Sequence, residues 1–93
     1  MNNTQLLLLV GKRIKQARKN KHLSQLELAY SLNMSATTIS YIELGKVATT
    51  ITTLNKIANE LNIDLYTFFK INEKKEQRKE QIEKIKKELD KLL

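Results

Sequence analysis

The segment from Leu23 to Gly45 constrains the fold of this 93-residue chain most strongly. Its apolar residues recur at helical spacings of three and four on both sides of a short polar break, Asn33-Met34-Ser35. These apolar residues are Leu26, Leu28, Ala29, Leu32, Ile39 and Ile42. Because so short a break leaves no room for a long loop, we predict two short helices that meet at a steep angle.

Both predicted helices begin at residues suited to capping. Glu27 follows Ser24 by three residues, the spacing of a capping box, in which each side chain bonds to the other residue's backbone N–H. Ser35 is the expected cap of the second helix. Asn33 falls in the turn between them, where the backbone needs a residue that tolerates positive φ.

This stretch resembles a known family. Ser24-Gln25-x-x-Leu28-Ala29, then Ile39-Ser40 and Ile42-Glu43-x-Gly45, are similar to the helix-turn-helix of the lambda-repressor and Cro-like proteins, often called the Xre family. The similarity covers roughly residues 10 to 69. In that family the first helix of the pair crosses the phosphate backbone and the second lies in the major groove of operator DNA. The resemblance implies a sequence-specific DNA-binding domain.

Short and polar side chains occupy the first turns of the predicted recognition helix over residues 35–44. We expect them to contact base edges, since methyl groups can touch thymine and hydroxyls can donate to or accept from bases. The candidate base contacts are Ala36, Thr37, Thr38, Ser40 and Tyr41. The alternative is that Thr37, Thr38 and Ser40 are ordinary solvated residues. Because none has the bidentate reach of Arg, Gln or Asn, we expect modest direct readout supplemented by DNA shape.

Other residues are candidates for phosphate contact. The resemblance assigns this role to Gln25, through its side chain and the free N–H group at the start of its helix. Gly45 is expected to end the recognition helix with positive φ, and Lys46 follows it in the loop. Thr50 is the expected cap of the next helix. The candidate phosphate contacts are Gln25, Ser35, Lys46 and Thr50.

Arg18 and Glu43 are expected to have a structural role. The resemblance pairs an Arg at this point of the first helix with the Glu that ends the recognition helix. A partly buried bidentate pair of this kind would fix the first helix against the third. We therefore assign both residues to an ion pair and not to DNA contact.

Two further helices are predicted to complete a five-helix domain over residues 1–70. The inward face of the fourth is expected to carry Ile51, Leu54, Ile57, Ala58 and Leu61. Asp64 is the expected cap of the fifth helix, in which Leu65, Phe68 and Phe69 close the domain, with at least one of the two Phe residues in the core. The fold class is therefore all-α, a lambda-repressor-like domain followed by an added C-terminal helix.

Residues 71–93 differ in composition from the domain before them. From Asn72 the sequence has no Gly or Pro and is rich in Lys and Glu, which predicts one long helix. Its apolar residues recur at spacings of three, four and three, as in a coiled coil: Ile82, Ile85, Leu89 and Leu92. Two apolar heptads leave open a parallel pair, a tetramer, a helix folded back onto its own domain, and a merely solvated helix. We expect an oligomerisation element and a homodimer.

Charge and composition limit the function classes. The chain has 17 Lys and Arg against 10 Asp and Glu, and residues 1–46 contain seven of the basic and two of the acidic side chains. This positive excess favours a polyanionic partner, and we expect double-stranded DNA. The chain has no Cys, which argues against a disulfide framework, and it has only one His, His22, which argues against a metal site. We expect no cofactor and no catalysis, since no paired carboxylates, triad or phosphate loop is evident.

The apolar run Leu6 to Val10 is too short to span a membrane, so we expect a cytoplasmic protein without membrane association. The favoured hypothesis is a dimeric transcription regulator, most often a repressor in this family, that binds a palindromic operator through the helix at 35–44. The alternative is an antitoxin or adaptor whose C-terminal helix binds a partner protein, with DNA binding secondary. Self-association of residues 72–93 would favour the first hypothesis.

Overall fold

The computed structural model describes residues 1–70 and 83–92. Residues 1–70 form α1 (Asn3–Asn20), α2 (Gln25–Ser31), α3 (Ala36–Glu43), α4 (Ile51–Glu60) and a 3₁₀ helix (Leu65–Phe69). Residues 83–92 form a further helix, named here the tail helix. All regular structure in these two ranges is helical, which confirms the all-α prediction. None of the helices in these ranges is both long and apolar enough to cross a membrane.

A capping box starts α2, as the sequence predicts. The Ser24 hydroxyl accepts a hydrogen bond from the Glu27 N–H at 3.0 Å, and the Glu27 carboxylate accepts one from the Ser24 N–H at 3.1 Å. The backbone N–H of Ser24, and then its hydroxyl, hold the pKa of Glu27 below its usual value. The contact therefore stabilises the start of α2 at neutral pH, and this contribution is lost as the pH falls through the lowered pKa.

Each of the four α-helices ends with one residue in the left-handed conformation, namely His22, Asn33, Gly45 and Asn62, with φ between 54° and 69°. In each case the N–H of this residue and that of the next residue bond back to carbonyls of the last turn, the Schellman arrangement. The predictions of positive φ at Asn33 and Gly45 are confirmed. The same geometry at His22 and Asn62 was not predicted.

All five helices of residues 1–70 contribute to one apolar core. Its buried members are Val10, Ile14, Leu28, Ala29, Ile39, Ile42, Leu54, Ile57, Ala58, Leu61 and Phe68. Phe68 is fully buried whereas Phe69 is 36% exposed, which confirms that at least one of the closing aromatic residues lies in the core. The core therefore joins α3 to the rest of the domain through the inward face of that helix.

Two details of the sequence prediction are wrong. Ile51 is 64% exposed and does not belong to the inward face of α4, because it is the first residue of that helix and lies at the edge of the core. Asp64 occupies the N-cap position of the fifth helix, but its side chain makes no capping hydrogen bond. That helix is a short 3₁₀ segment, and at Lys70 the backbone is extended.

Helices α1 and α3 approach each other closely at Gly11. An added Cβ at this position would lie 2.6 Å from the Ile42 carbonyl oxygen and closer still to that of Glu43. Both obstructing atoms belong to the backbone, so they cannot move aside as a flexible side chain would. Gly11 therefore sets the distance between α1 and the C-terminal end of the recognition helix.

The side chains of Arg18 and Glu43 form a buried ion pair between the same two helices. Nε of Arg18 donates to Oε2 of Glu43 at 2.7 Å, and Nη2 donates to Oε1 at 3.0 Å. The third guanidinium nitrogen, Nη1, donates to the Leu23 carbonyl oxygen at 2.7 Å. The two residues are 7% and 5% exposed. The hydrogen bonds that Arg18 donates to the Glu43 carboxylate raise the pKa of Arg18 above its usual value, so the guanidinium stays charged.

Replacement of Gly11 by Ala is expected to lower the free energy of unfolding by about 1 to 3 kcal/mol, the usual cost of overpacking. The clash with backbone oxygens outweighs the gain of roughly 1 kcal/mol that Ala has over Gly in a helix. Urea denaturation followed by circular dichroism measures the change. Lys15→Ala, at an exposed position of the same helix, is the control and should change stability by less than about 0.5 kcal/mol.

Loss of one partner of the ion pair should destabilise the domain more than loss of both. Arg18→Met and Glu43→Leu are each expected to cost about 3 to 5 kcal/mol, since each leaves an uncompensated buried charge. The double variant should be more stable than the sum of the two losses implies. Urea denaturation of all four proteins measures the coupling, with Lys19→Met as the exposed control. Additive losses would show that the pair is not coupled.

Candidate DNA-binding surface

Helix α3 is held by its inward face and its N-cap. Ile39 and Ile42 are buried in the core, so the opposite side of the helix faces outward. The Ser35 hydroxyl accepts a hydrogen bond from the Thr38 N–H at 3.1 Å and lies 2.8 Å from the Thr38 hydroxyl. Ser35 therefore caps α3, as predicted, and its hydroxyl is already engaged within the protein.

The candidate base contacts all lie on α3 but differ in exposure. Thr37 and Tyr41 are exposed and, being four residues apart, lie on one face of the helix. Ala36 and Ser40 have the same spacing and are half-buried beside that face. Thr38 is half-buried and bonded to the cap residue. Thr37 and Tyr41 are thus the most accessible of the set.

The side chain of Gln25 contacts the buried ion pair. Its Nε2 donates to Oε1 of Glu43 at 3.0 Å, and the residue is half-buried. Glu43 thereby joins the first residue of α2 to α1 and to the end of α3. This hydrogen bond was not predicted, since no local sequence pattern reports a contact between residues 18 positions apart. The second N–H of the amide is left for another acceptor.

Lys46 follows the left-handed residue that ends α3. The residue at the equivalent place after α1, α2 and α4 is apolar. The residue after the left-handed one is Leu23, Met34 or Ile63 in α1, α2 and α4, and each packs against the core. In α3 it is Lys46, which is exposed. Its ammonium nitrogen lies 5.8 Å from the centroid of the Tyr41 ring. The structure thus places a cation next to the exposed face of α3.

Thr50 caps α4, as the sequence predicts. Its hydroxyl accepts from the Thr53 N–H at 3.1 Å and donates to the Thr53 hydroxyl at 3.0 Å. With these two bonds the hydroxyl is engaged within the helix start. The free backbone N–H groups of the first turn of α4 are the remaining donors at this end.

Only part of the positive charge on α1 is free for a partner. Arg18 is buried in the ion pair, and Nη2 of Arg13 donates to the Lys70 carbonyl oxygen at 3.0 Å. Lys12, Lys15 and Lys19 are exposed. In the part of the chain that the structure describes, no cluster of three or more His, Cys, Asp or Glu residues is placed to hold a metal ion.

Two further contacts, both made by α1, were not predicted either. Gly11 offered a signal, because a Gly inside an otherwise regular helix indicates close packing. The hydrogen bond from Arg13 to the carbonyl of Lys70 joins residues 57 positions apart and has no such signal. Both contacts are made by residues of α1, the helix against which α3 packs.

The family model described as Helix-turn-helix, HTH_3, matches residues 14–68. The "ImmF control region 10 kDa protein" of Bacillus phage phi105 is 46% identical over 56 residues, which cover 60% of this chain and 62% of that protein. An HTH_3 family transcriptional regulator from Vibrio cholerae has a similar solved structure, with a TM-score of 0.68 and 29% identity over 73% of this chain and 38% of the other. The match thus spans less than two thirds of each of these two relatives.

Two other solved structures share the fold. The restriction-modification controller protein C.AhdI from Aeromonas hydrophila has a TM-score of 0.68 at 24% identity, over 73% of this chain and 99% of that one. The hypothetical transcription factor NHTF from Neisseria has a TM-score of 0.72 at 21% identity, over 83% and 88%. By the match of the family model to more than half of its sequence, the chain belongs to the helix-turn-helix family HTH_3, the lambda-repressor-like or Xre family of DNA-binding transcription regulators.

Proposed function

We propose that this protein is a sequence-specific repressor that binds a palindromic operator as a homodimer through the helix at 35–44. The observation that carries the proposal is the exposed face of α3, on which Thr37 and Tyr41 are open to solvent and the Tyr41 ring lies 5.8 Å from the Lys46 ammonium. A helix of this kind, held by its inward face, can enter a major groove while the loop beyond it meets the phosphate backbone.

Base readout is assigned to the outward side of α3. Thr37 is the principal reader, since it lies in the first turn, where recognition helices contact base edges. Ala36 and Ser40 contribute from the flank, and Thr38 contributes through its methyl group because its hydroxyl is bonded to Ser35. Tyr41 reads from one turn further along. These short side chains favour contact with thymine methyl groups over bidentate recognition of guanine.

Phosphate contact is assigned to the candidate set Gln25, Ser35, Lys46 and Thr50. Lys46 is the charged member, and its place at the end of α3 turns it away from the core. Gln25 is oriented by its hydrogen bond to Glu43, so that the second N–H of its amide can donate to a phosphate oxygen. Ser35 and Thr50 act through the helix starts that they cap.

Dimerisation is assigned to residues 71–93, and DNA recognition to residues 1–70. A single small domain makes few contacts, whereas two copies can read half-sites about 34 Å apart. Ile85, Leu89 and Leu92 of the tail helix are 58%, 55% and 83% exposed, so an apolar stripe on this helix is available to a partner. Ile82, the remaining residue of the predicted stripe, lies outside the described residues.

The similarity to a phage protein of a control region favours a regulator over an antitoxin or adaptor. We accordingly place the protein in the cytoplasm, where operator DNA is found, and propose that it acts without a cofactor. A partner protein that binds through the tail helix is the alternative. It predicts weak DNA binding with little dependence on sequence.

Lys46→Ala and Thr37→Ala are expected to affect DNA binding in different ways. Loss of Lys46 removes a phosphate contact, so affinity should fall for all sequences alike and the slope of log K against log salt should decrease by about 1. Loss of Thr37 should change base preference at one position per half-site, with a cost of about 1 to 3 kcal/mol on the preferred sequence. Fluorescence anisotropy titrations at several salt concentrations measure both effects.

Lys56→Ala is the matched control, because Lys56 is also exposed but lies in α4 beside the end of α2. Its loss should reduce affinity much less than the loss of Lys46. If the Lys46 and Lys56 variants bind DNA equally well, the assigned binding face is wrong. If Thr37→Ala leaves base preference unchanged, α3 does not read sequence through that residue.

A further inference from the structure

The side chain and the backbone of Lys46 both contact Tyr41. The Lys46 ammonium nitrogen lies over the Tyr41 ring, 5.8 Å from its centroid, which is within the distance at which a cation is attracted to the face of an aromatic ring. The Lys46 N–H donates to the Tyr41 carbonyl oxygen at 2.9 Å, as part of the turn that ends α3. Because this backbone bond fixes where the Lys46 side chain begins, the ring can hold its charged end.

An exposed lysine without such a contact is a poorly fixed cation. Its ammonium sits on a flexible four-carbon stem, and ordering that stem on a partner costs conformational entropy. Lys46 is exposed, and within the described residues no carboxylate lies at ion-pair distance from its ammonium. The Tyr41 ring has only two side-chain torsions and belongs to a helix whose inward face is buried. A cation held by this ring before DNA binds would lose less freedom on binding, which favours affinity.

Tyr41 has two parts that can act on DNA binding in different ways. Its hydroxyl can donate to or accept from a base edge, which is the role proposed above. Its ring attracts the ammonium, and this attraction needs the aromatic face but not the hydroxyl. The residue is 45% exposed, so its side chain can be changed without opening the core. Substitution by Phe, which keeps the ring, and by Leu, which keeps neither part, therefore separates the two roles.

We infer that Tyr41 is a positioning residue for the phosphate contact of Lys46, because its ring holds the ammonium beside the exposed face of α3 before DNA binds. The inference rests on the proposed phosphate contact of Lys46 and gives a second role to a residue proposed to contact bases. The ring then contributes to the affinity for every DNA sequence, whereas a base contact of the hydroxyl contributes to the affinity for some sequences only.

A double-mutant cycle on the full-length protein tests this role, with the affinity for a duplex of random sequence as the readout. Tyr41→Leu is expected to lower this affinity roughly twofold to fivefold, the size of an exposed contact between a cation and a ring. Tyr41→Phe is expected to keep the affinity of the natural protein. In the Lys46→Ala background, Tyr41→Leu should have almost no further effect, since the ring then has no ammonium to hold.

Tyr66→Leu serves as the control, because Tyr66 makes the same kind of contact at another place in the domain. The Lys70 ammonium lies 4.8 Å from the centroid of the Tyr66 ring. Tyr66 belongs to the 3₁₀ helix, which packs against α1 and α4. Its loss should leave the affinity for the random duplex almost unchanged. An equal loss of affinity in the Tyr66 and Tyr41 variants would overturn the inference, because the effect would not belong to the contact with Lys46.

A second measurement needs no DNA and separates this inference from the proposed function. NMR of the free protein should show nuclear Overhauser contacts between the ring protons of Tyr41 and the side chain of Lys46, and Tyr41→Phe should retain them. Their absence would overturn the inference. Their presence together with unchanged DNA binding by Lys46→Ala would overturn the proposed phosphate contact, and the inference with it.

The remaining outcomes of the cycle overturn the inference alone. If Lys46→Ala weakens binding and Tyr41→Leu does not, Lys46 contacts phosphate without help from the ring. If Tyr41→Leu lowers the affinity by the same factor with and without Lys46, the two side chains act independently. If Tyr41→Phe loses as much affinity as Tyr41→Leu, the hydroxyl and not the ring is responsible.

Discussion

The buried ion pair between Arg18 and Glu43 is the interaction on which the position of α3 depends. It joins α1 to the last residue of α3, and its carboxylate also accepts a hydrogen bond from Gln25 at the start of α2. Gly11 allows the backbones of α1 and α3 to meet without an intervening side chain. Because every polar atom buried within the described side chains has a partner, the pair fixes three helices without leaving a charge uncompensated.

The way in which the helices end determines where Lys46 points. All four α-helices close with the same backbone arrangement, and three of them place an apolar residue next, which packs back onto the core. Helix α3 departs from this pattern with a Lys. The departure gives up an apolar contact but leaves a cation exposed at the end of the recognition helix. This departure from the local pattern supports the proposal that Lys46 contacts the phosphate backbone.

Much of the fold was predictable from the sequence because its signals are local. The Ser24 and Ser35 caps, the positive φ at Asn33 and the inward residues of α3 all follow from spacing and residue type. The exposed position of Ile51 was not predictable from periodicity, since a helix start can lie at the edge of a core whatever its apolar pattern. The contact of Arg13 with Lys70 joins distant positions, and the apolar groove between α1, α3 and α4 collects residues from five segments; both depend on how the helices pack.

Selection from a random pool of DNA duplexes tests the central claim most directly. Purified full-length protein is incubated with the pool at near-physiological salt, and the retained DNA is sequenced. The account predicts an inverted repeat whose half-sites are centred about one helical turn apart. Retained DNA without a common motif, with binding that vanishes as salt rises, would contradict it and would leave non-specific attraction by the positive charge as the explanation.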